Sequence, residues 1–154
     1  MKAQALLSLF VAVAATLAAV GPAAAAPPTG GTTTITITSD IVVSSRQAGP
    51  NLVITEEQLT GSLSGALTGT SSVTQHGVLH PDGSGEFEGR GTFTGTVAGC
   101  GSVTFDFNIR FSASASGEIT GTSTTIAGSP VTNHSTFTGS VFSPLFEETD
   151  SYKC

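Results

Sequence analysis

From Leu59 to Gly69 the odd positions read Leu59, Gly61, Leu63, Gly65, Leu67 and Gly69. The even positions from 60 to 70 read Thr60, Ser62, Ser64, Ala66, Thr68 and Thr70. A two-residue period belongs to extended chain, whose side chains point alternately to opposite faces, and no helix tolerates it. One face is therefore apolar or empty and the other mostly hydroxyl-bearing. The apolar face continues through Val73 and Leu79, diluted by Gln75 and Gly77, and stops at the turn signal His80-Pro81-Asp82-Gly83.

The same alternation returns along the chain. Phe87, Phe93 and Val97 share a face with Gly89, Gly91 and Gly95, against Glu86, Glu88, Arg90, Thr92, Thr94 and Thr96. Val103, Phe105, Phe107, Ile109 and Phe111 alternate with Thr104, Asp106, Asn108, Arg110 and Ser112. Shorter strands are expected at 32–39 (continuing unevenly to Val43), from Leu52, at 118–126, at 131–142 and at 146–152. Gly49-Pro50-Asn51, Ala98 to Gly101, Ser114 to Gly117 and Gly128-Ser129-Pro130 supply the turns. Seven or eight strands joined by short reversals are antiparallel neighbours. A flat sheet would leave its apolar face wet, and closure also removes unpaired edges. The expected fold is thus all-β, an antiparallel barrel of about eight strands in which Phe on one strand fills the space left by Gly on another. A β-sandwich is the alternative, weakened by the absence of Trp and by cysteines placed too late for an inter-sheet bond. Thr-Gly-Thr and Thr-Gly-Ser triplets recur without a fixed period, so they are strand chemistry and not a solenoid.

The first 26 residues differ from all this. Met1-Lys2 is followed by an apolar run from Ala3 to Val20, then Gly21-Pro22 and four alanines. Charged start, apolar middle and small-residue end read as an export signal over 1–26, cut after Ala25 or Ala26. An uncleaved anchor is the competing reading. Residues 27–31 then form a Pro/Gly-rich flexible leader, and 32–154 the single barrel domain. The exported part holds all eleven acidic residues but only four basic ones, Arg46, Arg90, Arg110 and Lys153, a net charge of −7. With no basic cluster to neutralise phosphates, nucleic acid is not an expected partner, nor is anionic lipid. No further stretch would insert stably in a membrane once the signal is cut. The expected location is outside the cell, or on the exterior of its envelope.

Both cysteines, Cys100 and Cys154, lie in the exported part, where an even count reads as a disulfide. Free thiols or an intermolecular bond are the alternatives. The spacing excludes a CxxC redox pair, and two distant cysteines with scattered histidines do not make a zinc site.

The stretch Asp82-Gly83-Ser84-Gly85-Glu86-Phe87-Glu88-Gly89, followed by Gly91-Thr92-Phe93-Thr94-Gly95-Thr96-Val97-Ala98-Gly99, resembles the barrel superfamily of allene oxide cyclases and dirigent proteins, above all its uncharacterised bacterial members. A strand like Ser102 to Phe111 and a segment like Gly117-Glu118-Ile119-Thr120-Gly121 continue the likeness, which covers about residues 52–142. The resemblance implies an eight-stranded barrel with a central apolar cavity. It transfers no activity and places no cavity carboxylate on a particular residue. Avidin-like barrels are a looser match.

Candidate chemical groups are few. Glu86 and Glu88 are neighbours on one strand face and could serve acid–base chemistry or bind a hard cation. Parity puts them outside with Arg90, which is expected to pair with Glu88. Asp106, Asn108 and Arg110 form a second outer stripe, a solvated or protein-contacting surface. His76, His80 and His134 share no convincing metal-binding face. Gly83-Ser84-Gly85 is a hairpin and precedes no helix that could cradle phosphate. No Gly-x-Ser-x-Gly elbow precedes a helix. Asn133-His134-Ser135 matches a glycosylation acceptor, but the alanine-rich signal is bacterial in style and no modification is expected. Glu147, Glu148 and Asp150 form an acidic cluster expected to be solvated. No catalytic, metal-binding or cofactor residue is assigned, and no ligand-binding residue is singled out. The favoured function is binding of a small apolar ligand inside the barrel, or surface interaction, without catalysis. The alternatives are a cofactor-free isomerase or cyclase, which needs an inward ionisable group, and a Thr-rich adhesive surface. Oligomeric state stays open.

Overall fold

A computed structural model describes residues 29–154; residues 1–28, which hold the expected export signal, lie outside the described residues. Eight strands follow one another: β1 (Thr29–Gln47), β2 (Val53–Gly65), β3 (Leu67–Leu79), β4 (Gly85–Val97), β5 (Gly101–Ala113), β6 (Glu118–Thr125), β7 (Thr132–Ser140) and β8 (Leu145–Lys153). Each pairs antiparallel with the next, and β8 pairs with β1, so the sheet closes into a barrel in chain order. A single closed sheet replaces the two faces a sandwich would need. β1 takes in Thr29 to Gly31, the end of the leader, which pair with Tyr152, Ser151 and Asp150.

The apolar face of each strand lines the interior. Phe93 and Phe105 are 1% and 5% exposed, while Thr94 and Thr104 lie outside. Glycines meet aromatic rings across the strands as their alternation suggests. Phe87 lies where a side chain on Gly77 would project, and Phe137 does the same at Gly121. Stacked or edge-on pairs then run round the wall from Phe87 to Phe111, Phe137 and Phe146.

Two features lie beyond what the alternation shows. The run from Leu59 to Leu79 is two strands, β2 and β3, joined by a tight reversal at Ala66. Gly65 permits it with φ +134°, in a place where a Cβ would strike the Thr32 carbonyl. Because Leu63 and Leu67 both face inward, the reversal leaves the odd–even pattern unbroken and is invisible in it. In β1, register shifts between Ile37 and Ser39 and between Val42 and Ser44 exchange the faces. Ile41, Val42 and Val43, beyond the part of β1 that pairs with β8, are exposed.

One end of the barrel is plugged by Leu63, Leu67, Phe93, Val97, Phe105, Val131 and Tyr152. Cys100, in the β4–β5 turn, packs against this plug. It is bonded to Cys154, with a Cα–Cα distance of 5.5 Å, tying the last residue to the closed end. At the other end stand the β1–β2, β3–β4, β5–β6 and β7–β8 turns.

Candidate ligand-binding cavity

Above the plug the barrel is hollow. The cavity holds about 480 Å³ and is walled by Ile35, Leu59, Val73, Phe107, Ile109 and Phe111, among others. Such a volume falls within the roughly 300–1,000 Å³ of small-molecule sites. Val141, Phe142 and Pro144 of the β7–β8 turn form part of its rim. Phe142 is 84% exposed there.

The interior is not wholly apolar, and this overturns the expectation that Glu147, Glu148 and Asp150 are all solvated. Only Glu147 faces water; Glu148 is 5% and Asp150 2% exposed. The reason is the same alternation that governs the other strands. In β8 the inward set is Phe146, Glu148, Asp150 and Tyr152, so two carboxylates share a face with two aromatic rings.

Asp150 is fully provided with donors. Thr33 Oγ1 donates to Oδ2 at 2.6 Å, while Ser135 Oγ at 2.8 Å and Asn133 Nδ2 at 3.1 Å donate to Oδ1. Glu148 receives less: Ser123 Oγ donates to it at 3.3 Å. Burial, reinforced by the negative charge of Asp150, pushes the Glu148 carboxyl up to about 7, and the hydrogen bond from Ser123 offsets only part of that rise. Asn133 is 3% exposed and lines the cavity. Its Nδ2 also donates to Ser135 Oγ at 2.7 Å, but its Oδ1 is buried with no partner. Elsewhere on the wall, Gln75 Nε2 donates to Glu57 at 2.7 Å. Both residues line the cavity, as does Asp40, which the β1 register shifts displace from the alternation.

The residues that parity placed outside are outside. Glu88 pairs with His76 at 3.0 Å and Arg110 at 3.5 Å, its direct cross-strand neighbours. Arg90 pairs with Asp106 at 3.2 Å and not with Glu88. Hydrogen bonds from Thr92 and Arg90 hold the Asp106 carboxyl below its usual value. Exposed pairs of this kind contribute little to stability. Glu86, Asn108, His80 and His134 are exposed as well. Asn133, the acceptor of the glycosylation-like triplet, is enclosed in the wall with its amide engaged.

Fold and interior together define a closed antiparallel barrel with an acid-bearing apolar cavity open at one end. The chain matches no family model and no curated protein.

Proposed function

We propose that this is an exported, non-catalytic barrel that binds a small, largely apolar molecule in its interior. The observation that carries the reading is the 480 Å³ cavity lined chiefly by Phe, Leu, Ile and Val. The N-terminal signal pattern and the Cys100–Cys154 bond support export. A hydroxyl- and charge-bearing outer face, with the apolar residues inside, argues against a lipid-facing barrel, which needs the reverse. Titration with Nile red, with native mass spectrometry of the complex, tests the reading. A saturable one-to-one complex is expected, abolished by Leu59→Trp, which fills the cavity. Absence of saturable binding to the folded protein would overturn it.

A second reading, a cofactor-free isomerase or cyclase in keeping with the resemblance to allene oxide cyclases, is favoured by one specific observation. Glu148 stands in the cavity with a carboxyl that titrates near neutrality, as a general acid or base requires. Chemical change in a ligand recovered from the wild type but not from Glu148→Gln would support it. Recovery of every bound ligand unchanged would count against it. An adhesive role for the Thr-rich face lacks the flat rows it would need, since the barrel curves that face throughout.

A further inference from the structure

We propose that the cavity selects an apolar molecule bearing a basic amine, with its ammonium group held between Glu148 and Asn133. The inference rests on the cavity being a binding site and adds the chemistry of the ligand's polar end.

The ionisable side chains lining the cavity are Asp40, Glu57 and Glu148, and among the described residues no Lys, Arg or His lines it. Asp150 adds a further buried carboxylate on the inward face of β8. A carboxylate ligand would therefore enter a field of its own sign with no cation to meet it. An ammonium supplies the missing charge, and buried charges are tolerated when paired and hydrogen-bonded. A second, independent feature lies on β7, the strand paired with β8. Asn133 Oδ1 is a buried acceptor without a donor, on a residue lining the cavity. Its amide orientation is fixed, because Nδ2 must face the acceptor Asp150 Oδ1. An ammonium carries three N–H donors, enough to serve Asn133 Oδ1 and the Glu148 carboxylate together. An alcohol has one donor and no charge. The aromatic wall, which includes Phe137 beside Glu148 in the β7–β8 register, suits both the apolar body and the cation.

Protons compete with the ligand at this place. Burial and Asp150 raise the Glu148 carboxyl to about 7, so the empty cavity holds a proton there at mildly acid pH. An ammonium must displace it. Among the described residues, the other ionisable groups near Glu148 are Asp150 and Tyr152 on the same strand, Glu57 on β2 and the exposed Asp40 on β1; β7, packed against β8, contributes none to the inward face.

The test compares decylamine, 1-decanol and decanoate by competition against Nile red. At pH 8 the amine is expected to bind at least tenfold more tightly than either analogue, and to weaken as pH falls through 7. Glu148→Gln should remove about tenfold of the amine's affinity while leaving decanol within twofold. Glu147→Gln, on the outer face, should change neither. Equal binding of decanoate and decylamine, or an amine affinity indifferent to Glu148→Gln, overturns the proposal while leaving the cavity reading intact. Failure of all three probes and of Nile red overturns both.

Discussion

Thr33 Oγ1 donates to Asp150 Oδ2 at 2.6 Å across the seam where β1 meets β8 and the barrel closes. The same hydroxyl oxygen accepts from the Leu67 amide at 3.1 Å, so one buried group joins the seam to the β2–β3 reversal. Replacing it leaves two buried polar groups short of a partner. Thr33→Val is isosteric and should cost about 1–3 kcal/mol through those lost partners. Asp150→Asn should cost a similar ~1–3 kcal/mol, because its amide nitrogen would either face the Asn133 and Ser135 donors or replace the acceptor of the Thr33 hydroxyl. Urea unfolding followed by circular dichroism measures both. A loss below 0.5 kcal/mol in each would show that the seam hydrogen bonds are dispensable.

Glu148 gives stability an unusual pH dependence. Its carboxyl titrates near 7 in the folded chain against 4.5 for the unconstrained group, so the folded state binds more protons between those values. Stability from this group is therefore gained as pH falls from about 7 towards 4.5 and lost as pH rises, the reverse of a salt-bridged carboxylate. The size is about 3 kcal/mol over the whole window. Below it, Asp82 and Asp106, whose carboxyls are held low by hydrogen bonds from Ser84 and from Thr92 and Arg90, lose those contributions on protonation. Unfolding free energies from pH 4.5 to 8 should decline with rising pH in the wild type and stay nearly flat in Glu148→Gln. At pH 8 that variant should be the more stable by about 1–3 kcal/mol, since it no longer buries a charge. Identical profiles for the two proteins would refute this account.

Much of the fold was legible because alternation is a local property. Phe93 announces the interior by sharing a parity with Gly89, Gly91 and Gly95, and Phe105 by sharing one with Val103, Phe107 and Ile109, whatever their neighbours turn out to be. The candidate site was legible only in part, and for two different reasons. Glu148 and Asp150 share a parity with Phe146 and Tyr152, as Glu57 and Gln75 do with Leu59 and Val73. Their inward direction was therefore written in the chain but masked by the habit of placing carboxylates in water. Asp40 was not legible, since register shifts in β1 decide its direction. Nor was the pairing of Asn133 with Asp150, which depends on how β7 and β8 align. The reversal at Ala66 escaped because a turn that returns the same parity leaves no trace in the pattern.

The disulfide joins residues 54 apart and fastens the chain end to the plug, not to the cavity. Its loss should act mainly on the unfolded chain. The loop-entropy account gives roughly 4 kcal/mol for a closure of this length. The double variant Cys100→Ser with Cys154→Ser should unfold at markedly lower urea and melt at lower temperature, yet retain Nile red binding where folded. Reduced wild type should behave like the double variant. Loss of dye binding in protein that is still folded would mean that the bond shapes the cavity itself.

Gly77 and Phe87 face each other in the β3–β4 register, and the ring covers the place where a side chain on Gly77 would project. The nearest atoms a Cβ would meet are all from that ring, not from backbone. The conflict created by Gly77→Ala is thus between two side chains and should be reversible. Alone, the substitution should cost about 1–3 kcal/mol, as overpacking does when a ring must leave its rotamer. In a Phe87→Leu background the smaller side chain leaves room for a methyl group, and the cost of Gly77→Ala should fall below about 1 kcal/mol. Unfolding of the four proteins of the cycle gives the coupling directly. Strict additivity would show that Gly77 is required by its backbone and not by the ring above it, and would remove the aromatic–glycine complementarity as the reason glycines alternate through these strands.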